Sequence, residues 1–309
     1  MTYRISGHES FTCRYTWLPK VVQCIKRDDQ LLSKDEEAMV ELGVGKNMVH
    51  SIRFWALAAG VVESTNGKLQ LTSFGKALLG SRGFDPFLED VKTLWLIHWK
   101  FATNTPNPLL AWDFLLNYWQ EPEIVPSVVV AALQREAGKH SDKVSLSTVE
   151  QHFDAFLHTY VPTRGRKGRV QEDNLDCPLV ELALIVRTGE RESNGSLGRR
   201  ESIYAFRREE KPEITQEVFV FCLNSFWDRH YPNEGTLSFR QVAHGHGSPG
   251  QIFKLPEDDI RSRIEIAGRD VGSPFTYVDS ANSERIRRRE NVNDTELLRR
   301  IYRSDARTT

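Results

Sequence analysis

Apolar and polar positions along this chain follow two periods, and each period names an element. Between Lys46 and Ala59, the residues Met48, Val49, Ile52, Trp55, Ala56 and Ala59 recur at helical spacing, with Lys46, Asn47, His50 and Arg53 on the opposite face. Gly60 follows, where a helix C-terminus favours glycine. A shorter helix is expected over Asp35–Leu42, closed by the turn signal Gly43-Val44-Gly45. Val61–Glu63 and Lys68–Leu71 flank Asn66-Gly67, a dipeptide suited to the left-handed turn of a tight hairpin. A helix over Ser73–Leu79 completes the segment. Helix, turn, helix, two-stranded wing is the order of a winged helix.

A similar order of elements is expected twice more, without a repeat of sequence. Leu109–Trp119 and Val128–Ala137 read as helices. Ser147 and Glu150 read as a capping box before a helix whose inner face is Val149, Phe153, Phe156, Leu157 and Tyr160. Strands are expected over Val180–Arg187 and Ser202–Arg207. Glu150 and Asp154 on the outer face of that helix would repel phosphates, so this segment reads as structural or catalytic. Further on, Val218, Phe221, Cys222, Ser225 and Phe226 mark a buried helix face. A helix is expected from Phe239 to Ala243, stopped by the glycines at 245, 247 and 250. Another begins at Pro256 and carries Ile260, Ile264 and Ala267, before a strand over Phe275–Val278. Arg285, Arg287, Arg288 and Arg289, then Arg299, Arg300 and Arg303, read as a basic helix or tail. The expected fold is mainly α with short β-hairpins (α+β), built as tandem winged-helix-like modules over 1–84, 85–210 and 211–309.

Composition narrows the partners. Lys and Arg number 41 against 42 Asp and Glu, so no chain-wide basic field exists and any nucleic-acid contact must come from local patches. No apolar run approaches the roughly 20 residues that span a bilayer. The opening MTYRISGHES lacks the apolar stretch of a signal peptide. Cys13, Cys24, Cys177 and Cys222 are scattered without a C-x-x-C pair, which suits reduced thiols and a cytoplasmic setting.

Three stretches carry candidate chemistry. His8, Glu9, Arg14 and Lys20 supply the proton-handling groups and cations that cleavage of a phosphodiester requires. With Tyr15 and Trp17 they could equally tie a terminus onto a domain. On the Lys46–Ala59 helix, Lys46 and Arg53 would meet phosphates, and Asn47 and His50 base edges, if the helix enters a major groove. On a protein-contact module the same face is merely solvated. Arg164, Arg166, Lys167 and Arg169 form a glycine-bearing basic loop that could hold a DNA backbone. Glu172, Asp173 and Asp176 follow at once, hard oxygen donors suited to magnesium or manganese, although an exposed acidic loop has the same composition. His244 and His246 are too few ligands for zinc. No Walker loop, dinucleotide glycine fingerprint or G-x-S-x-G elbow is present, which disfavours nucleotide hydrolysis and hydride transfer.

GHESFTCRYTWLPK near the start, EDNLDCPLVELALI from Glu172 and SPGQIFKLPEDDIRSRI from Ser248 resemble an uncharacterised-domain family of bacterial defence islands. Its members include the SspB-type nicking component of DNA phosphorothioation systems, and the resemblance spans nearly the whole chain. It implies a DNA-nicking endonuclease working with a cysteine desulfurase, an ATPase and a sulfur-transferring protein resembling PAPS reductase. A homodimer is compatible with it. The residues named above are chemical choices placed on the matching motifs. The rival reading is a non-catalytic, sequence-specific DNA-binding adaptor that recruits the sulfur-transfer enzymes. A transcriptional repressor is a third, disfavoured by length and by the lack of a ligand-pocket signature.

Overall fold

The computed structural model describes residues 2–303 apart from 106, 142, 163–176, 193–199, 271 and 281–282. Contacts group the chain into two units, Met1–Arg207 and Arg208–Thr309, each made of helices with small antiparallel sheets. The fold is α+β.

The first unit runs α1 (Trp17–Arg27), α2 (Asp35–Leu42), α3 (Lys46–Ala58), β1 (Val62–Thr65), β2 (Lys68–Leu71), α4 (Ser73–Leu79), α5 (Val91–Ala102), α6 (Leu110–Asp113), α7 (Pro126–Gly138), α8 (Leu146–Tyr160), β3 (Ile185–Glu192) and β4 (Arg200–Phe206). From α2 to α4 the expected order holds. Gly43 closes α2 at φ +66°, and Asn66 and Gly67 turn the hairpin at φ +52° and +77°, the left-handed backbone such a turn needs. Val49, Ile52, Trp55, Ala56 and Ala59 are buried, while Met48 is only half-buried.

The core is aromatic. Trp55 of α3 stands 5.0 Å from Phe101 of α5 and 5.8 Å from Trp112 of α6, and Trp112 meets Phe156 of α8 at 5.0 Å. Tyr160 ties the same layer together: its hydroxyl accepts from Trp112 Nε1 at 2.8 Å and lies 2.7 Å from His98 Nδ1. α5 is buried at ten of its twelve positions.

Three details depart from the sequence reading. The cap of α8 is Ser145, whose hydroxyl accepts from the Thr148 amide, so the helix starts ahead of Ser147 and no Ser147–Glu150 box forms. The expected helix Leu109–Trp119 is α6 followed by a π-helical turn over Phe114–Tyr118. Pro178 starts a 3-10 turn over Pro178–Leu182, because its fixed φ and missing N–H suit a first helical turn, and β3 begins only at Ile185.

The second unit runs α9 (Gln216–His230), β5 (Thr236–Ser238), α10 (Phe239–His244), α11 (Pro249–Phe253), α12 (Glu257–Arg269), β6 (Phe275–Ser280), β7 (Ser283–Arg288) and α13 (Asp294–Arg303). Ser238 and Gln241 form a reciprocal capping box on α10. Gly245 ends α10 as its C-cap, in line with the expectation, while Gly250 lies inside α11, whose cap is Ser248. Its sheet has the order β5-β7-β6, and Trp227 of α9 stacks on Phe275 at 5.5 Å beneath it. Arg285–Arg288, expected as a helix or tail, are the central strand. Lys211 is fully buried and donates to the Glu209 carbonyl at 3.0 Å, while Arg263 pairs with Asp259 and donates to the Lys211 and Ile214 carbonyls.

Candidate functional site

Residues 2–16 form a strap across the first unit, held at many points. The Arg4 amide donates to the Pro108 carbonyl at 2.9 Å, and Tyr3 Oη donates to Asp113 Oδ2 at 2.8 Å. Gly7 passes Phe54 so closely, at φ +104°, that a Cβ there would meet the ring at 3.2 Å. Trp55 Nε1 donates to the Phe11 carbonyl at 2.9 Å. Tyr15 donates its hydroxyl proton to Glu181. Tyr3 and Tyr15 consequently hold their protons far above the usual phenol range, through burial first and the neighbouring carboxylate second.

His8 is turned inward at 3 % exposure, between the rings of Phe54 and Trp55. Its Nε2 lies 3.4 Å from His152 Nδ1 of α8. The Ala111 amide donates to His152 Nε2 at 3.1 Å, so the proton of neutral His152 sits on Nδ1 and is directed at His8. Burial, then the neighbouring His8, pushes His152 down to about 3, and burial lowers His8 as well. The pair is a neutral bond inside the core. Glu9 is exposed at φ +49°, Lys20 is exposed on α1, and the Arg14 guanidinium lies over the rings of Phe11 and Trp17 at 6.0 and 5.6 Å. The four candidates of the opening peptide therefore divide, His8 in the core and Glu9 and Lys20 outside.

On α3, a single carboxylate gathers the basic groups. Asp35 of α2 lies 2.6 Å from Arg53, 3.3 Å from His50 and 3.3 Å from Lys46. The Arg53 and His50 hydrogen bonds hold its carboxyl well below the usual carboxylate range. Asn47 is exposed beside them. A phosphate approaching this face competes with Asp35. On the sequence reading that sets this face against DNA, Arg53→Ala, which leaves Asp35 to answer Lys46, is expected to flatten the logarithmic salt slope by about one, and Asp35→Asn to steepen it by about one. Titration of a labelled duplex over a salt series checks both.

Arg164, Arg166, Lys167, Arg169, Glu172, Asp173 and Asp176 lie outside the described residues. The residues that follow this stretch are described, and they meet the strap. Cys177 donates its thiol to the Thr159 carbonyl at 3.3 Å, and Glu181 accepts from Tyr15 of the strap. Among the described residues, no group of three or more His, Cys, Asp or Glu side chains could hold a metal ion. All four cysteines are buried and none forms a disulfide. No helix among the described residues is long and apolar enough to cross a membrane.

Sequence reasoning missed Asp35, Asp113, Glu181 and His152 as partners. Only His152 carried a local signal, since it lies beside Phe153 on the apolar face of an amphipathic helix. The other three gain their roles from chain-distant contacts that leave no periodic mark.

A family model described as "Protein of unknown function (DUF4007)" matches residues 5–302, taking in most of the strap, both units and nearly all of α13. The chain belongs to the DUF4007 family. Two solved structures share the fold of this DUF4007 chain. One is an SspB crystal structure, with a TM-score of 0.81, and the other a magnesium ion-bound SspB crystal structure, with a TM-score of 0.80. Each is 23% identical, and each alignment covers 97% of this chain and 86% of the SspB chain. Comparison with curated proteins finds no match.

Proposed function

We propose that this DUF4007 chain binds DNA and nicks one strand as a component of a DNA phosphorothioation system. One observation carries the reading: Tyr15 of the strap donates its hydroxyl to Glu181, which follows closely on the carboxylates Glu172, Asp173 and Asp176 in the sequence. The peptide bearing Glu9, Arg14 and Lys20 is thereby tied to the exit of the acidic stretch. The likeness of fold to SspB over nearly the whole chain supports the system.

In this reading Glu172, Asp173 and Asp176 hold a divalent cation, which when bound supplies positive charge at the phosphate and a more acidic water. Arg164, Arg166, Lys167 and Arg169 grip the backbone, and Arg14 and Lys20 add positive charge at the phosphate. Glu9, exposed at the turn of the strap, handles the proton. His8 positions the strap through His152 and stays away from the phosphate. A desulfurase, an ATPase and a PAPS-reductase-like protein then complete sulfur insertion at the opened strand.

Asp173→Ala is expected to bind duplex DNA as the wild type does and to leave supercoiled plasmid intact with magnesium or manganese present. Plasmid gels and a binding titration read the two outcomes. Nicking at the wild-type rate by both Asp173→Ala and Glu9→Ala would remove this assignment. The adaptor reading keeps one observation in its favour, the sealing of the strap's single imidazole inside the core. DNA binding with no cleavage by wild type under any metal condition would select it.

A further inference from the structure

The central strand of the second unit places its arginines on alternate faces. Ile286 points inward with Leu237 and Phe275, and Arg288 reaches Asp228 and Asn224 of α9. Arg285 and Arg287 point the other way and are exposed. Pairing register completes that outer face. Arg285 stands opposite Ser238 on β5 and Val278 on β6, and Arg287 stands opposite Thr236 and Thr276. These six positions hold two guanidinium groups, three hydroxyls, one valine and no carboxylate. Among the described residues, neither Arg285 nor Arg287 has an ion-pair partner. Arg289, next in the same alternation, bonds to the Thr276 hydroxyl and to backbone carbonyls of Gly268 and Asp270, so it adds positive charge at the same edge.

This pattern differs from the other basic surface considered above. On α3 a carboxylate answers the cations, whereas the outer sheet face presents them to solvent. Alternate residues of a strand stand about 6.6–6.8 Å apart. That separation is comparable to the distance between neighbouring phosphates along a nucleic-acid strand. Guanidinium forks bind phosphate oxygens in pairs, and Ser and Thr hydroxyls are common further donors to the backbone. Contacts to phosphate oxygens carry no sequence information of their own.

We propose that the outer face of the β5-β7-β6 sheet is a binding surface for the DNA phosphodiester backbone, with Arg285 and Arg287 engaging adjacent phosphates and Thr236 and Thr276 beside them. The proposal rests on the DNA-handling reading above and gives that reading its non-specific contact. Arg285 and Arg287 are exposed on this face, so their substitution leaves the fold intact.

The test is a salt series on the full chain with fluorescent 30-nucleotide duplex and single-stranded probes. The double variant Arg285→Gln/Arg287→Gln should bind roughly tenfold more weakly at moderate salt, with a logarithmic slope shallower by about 1.8 on duplex or about 1.4 on single strands. The larger loss identifies the preferred form. Val278→Lys, which adds a cation opposite Arg285, should steepen the slope by about one. Wild-type binding that neither change alters overturns this surface and leaves the DNA reading standing. Absence of wild-type binding to either probe overturns the DNA reading itself, and binding to anionic lipid vesicles in place of DNA overturns both.

Discussion

Trp55→Ala is expected to cost the first unit on the order of 3–5 kcal/mol of stability. The indole is completely buried and meets Phe54 and Phe101 at 5.0 Å and Trp112 at 5.8 Å. Truncation opens a cavity walled by other rings, which cannot collapse without breaking the Trp112 and Tyr160 bond. The change also removes the Nε1 donor that holds the Phe11 carbonyl, leaving a strap carbonyl without its partner. Trp55→Phe separates the two effects. It keeps most of the ring packing and loses the donor, so its direct hydrogen-bond cost is about 1 kcal/mol, beside a smaller packing loss. Denaturant unfolding measures the stability, and amide exchange across residues 2–16 measures the strap. Trp55→Phe should accelerate exchange there while the first unit stays folded. Unchanged exchange in Trp55→Phe would mean that the strap is held without this bond.

The second large effect is a loss of stability in acid that begins in the histidine range. In the folded unit His152 stays neutral, its proton affinity pushed down to about 3 by burial, while in the unfolded chain it takes a proton near 6.5. Below 6.5 the unfolded state therefore binds more protons. Stability is full above that value and is lost as the pH falls toward 3, at up to about 1.4 kcal/mol per pH unit. His8, lowered in the same direction by burial, adds to the slope. Protonating His152 at Nε2 also breaks its bond from the Ala111 amide. His152→Gln can still accept from that amide and face His8, so it should flatten the pH dependence between about 6 and 4. The Asp35 cluster cannot imitate this effect. Its carboxyl is held below the ordinary carboxylate range, so its contribution disappears only at still lower pH. Urea midpoints over this pH range are the measurement. Equal slopes in wild type and His152→Gln would place the acid sensitivity elsewhere.

What the sequence revealed depended on whether a position obeyed a period. α2, α3 and the Asn66-Gly67 hairpin were legible because one face of each helix is buried and the turn has a required backbone. α5 was not, since a helix buried almost all round has no polar stripe to mark its period. α1 was overlooked because Trp17, Leu18 and Lys20 read as chemistry before they read as a helix. In β7, the lone apolar Ile286 among arginines gave too little alternation to show a strand.

The strap shows the same limit for the site. Its residue types were visible at once, but their destinations were set by Asp113, His152 and Glu181 more than a hundred positions away. Composition suggested that His8, Glu9, Arg14 and Lys20 could act together, and folding sent His8 to the core. The basic face of α3 was read correctly as a surface, while its carboxylate partner on α2 was not foreseen.

Cleavage resolved by strand tests the central claim most directly. A duplex carrying a different label on each strand, incubated with the purified chain and magnesium or manganese, should show one strand shortened and the other full length, with Asp173→Ala cutting neither. Two intact strands at protein concentrations that saturate the duplex would contradict the account.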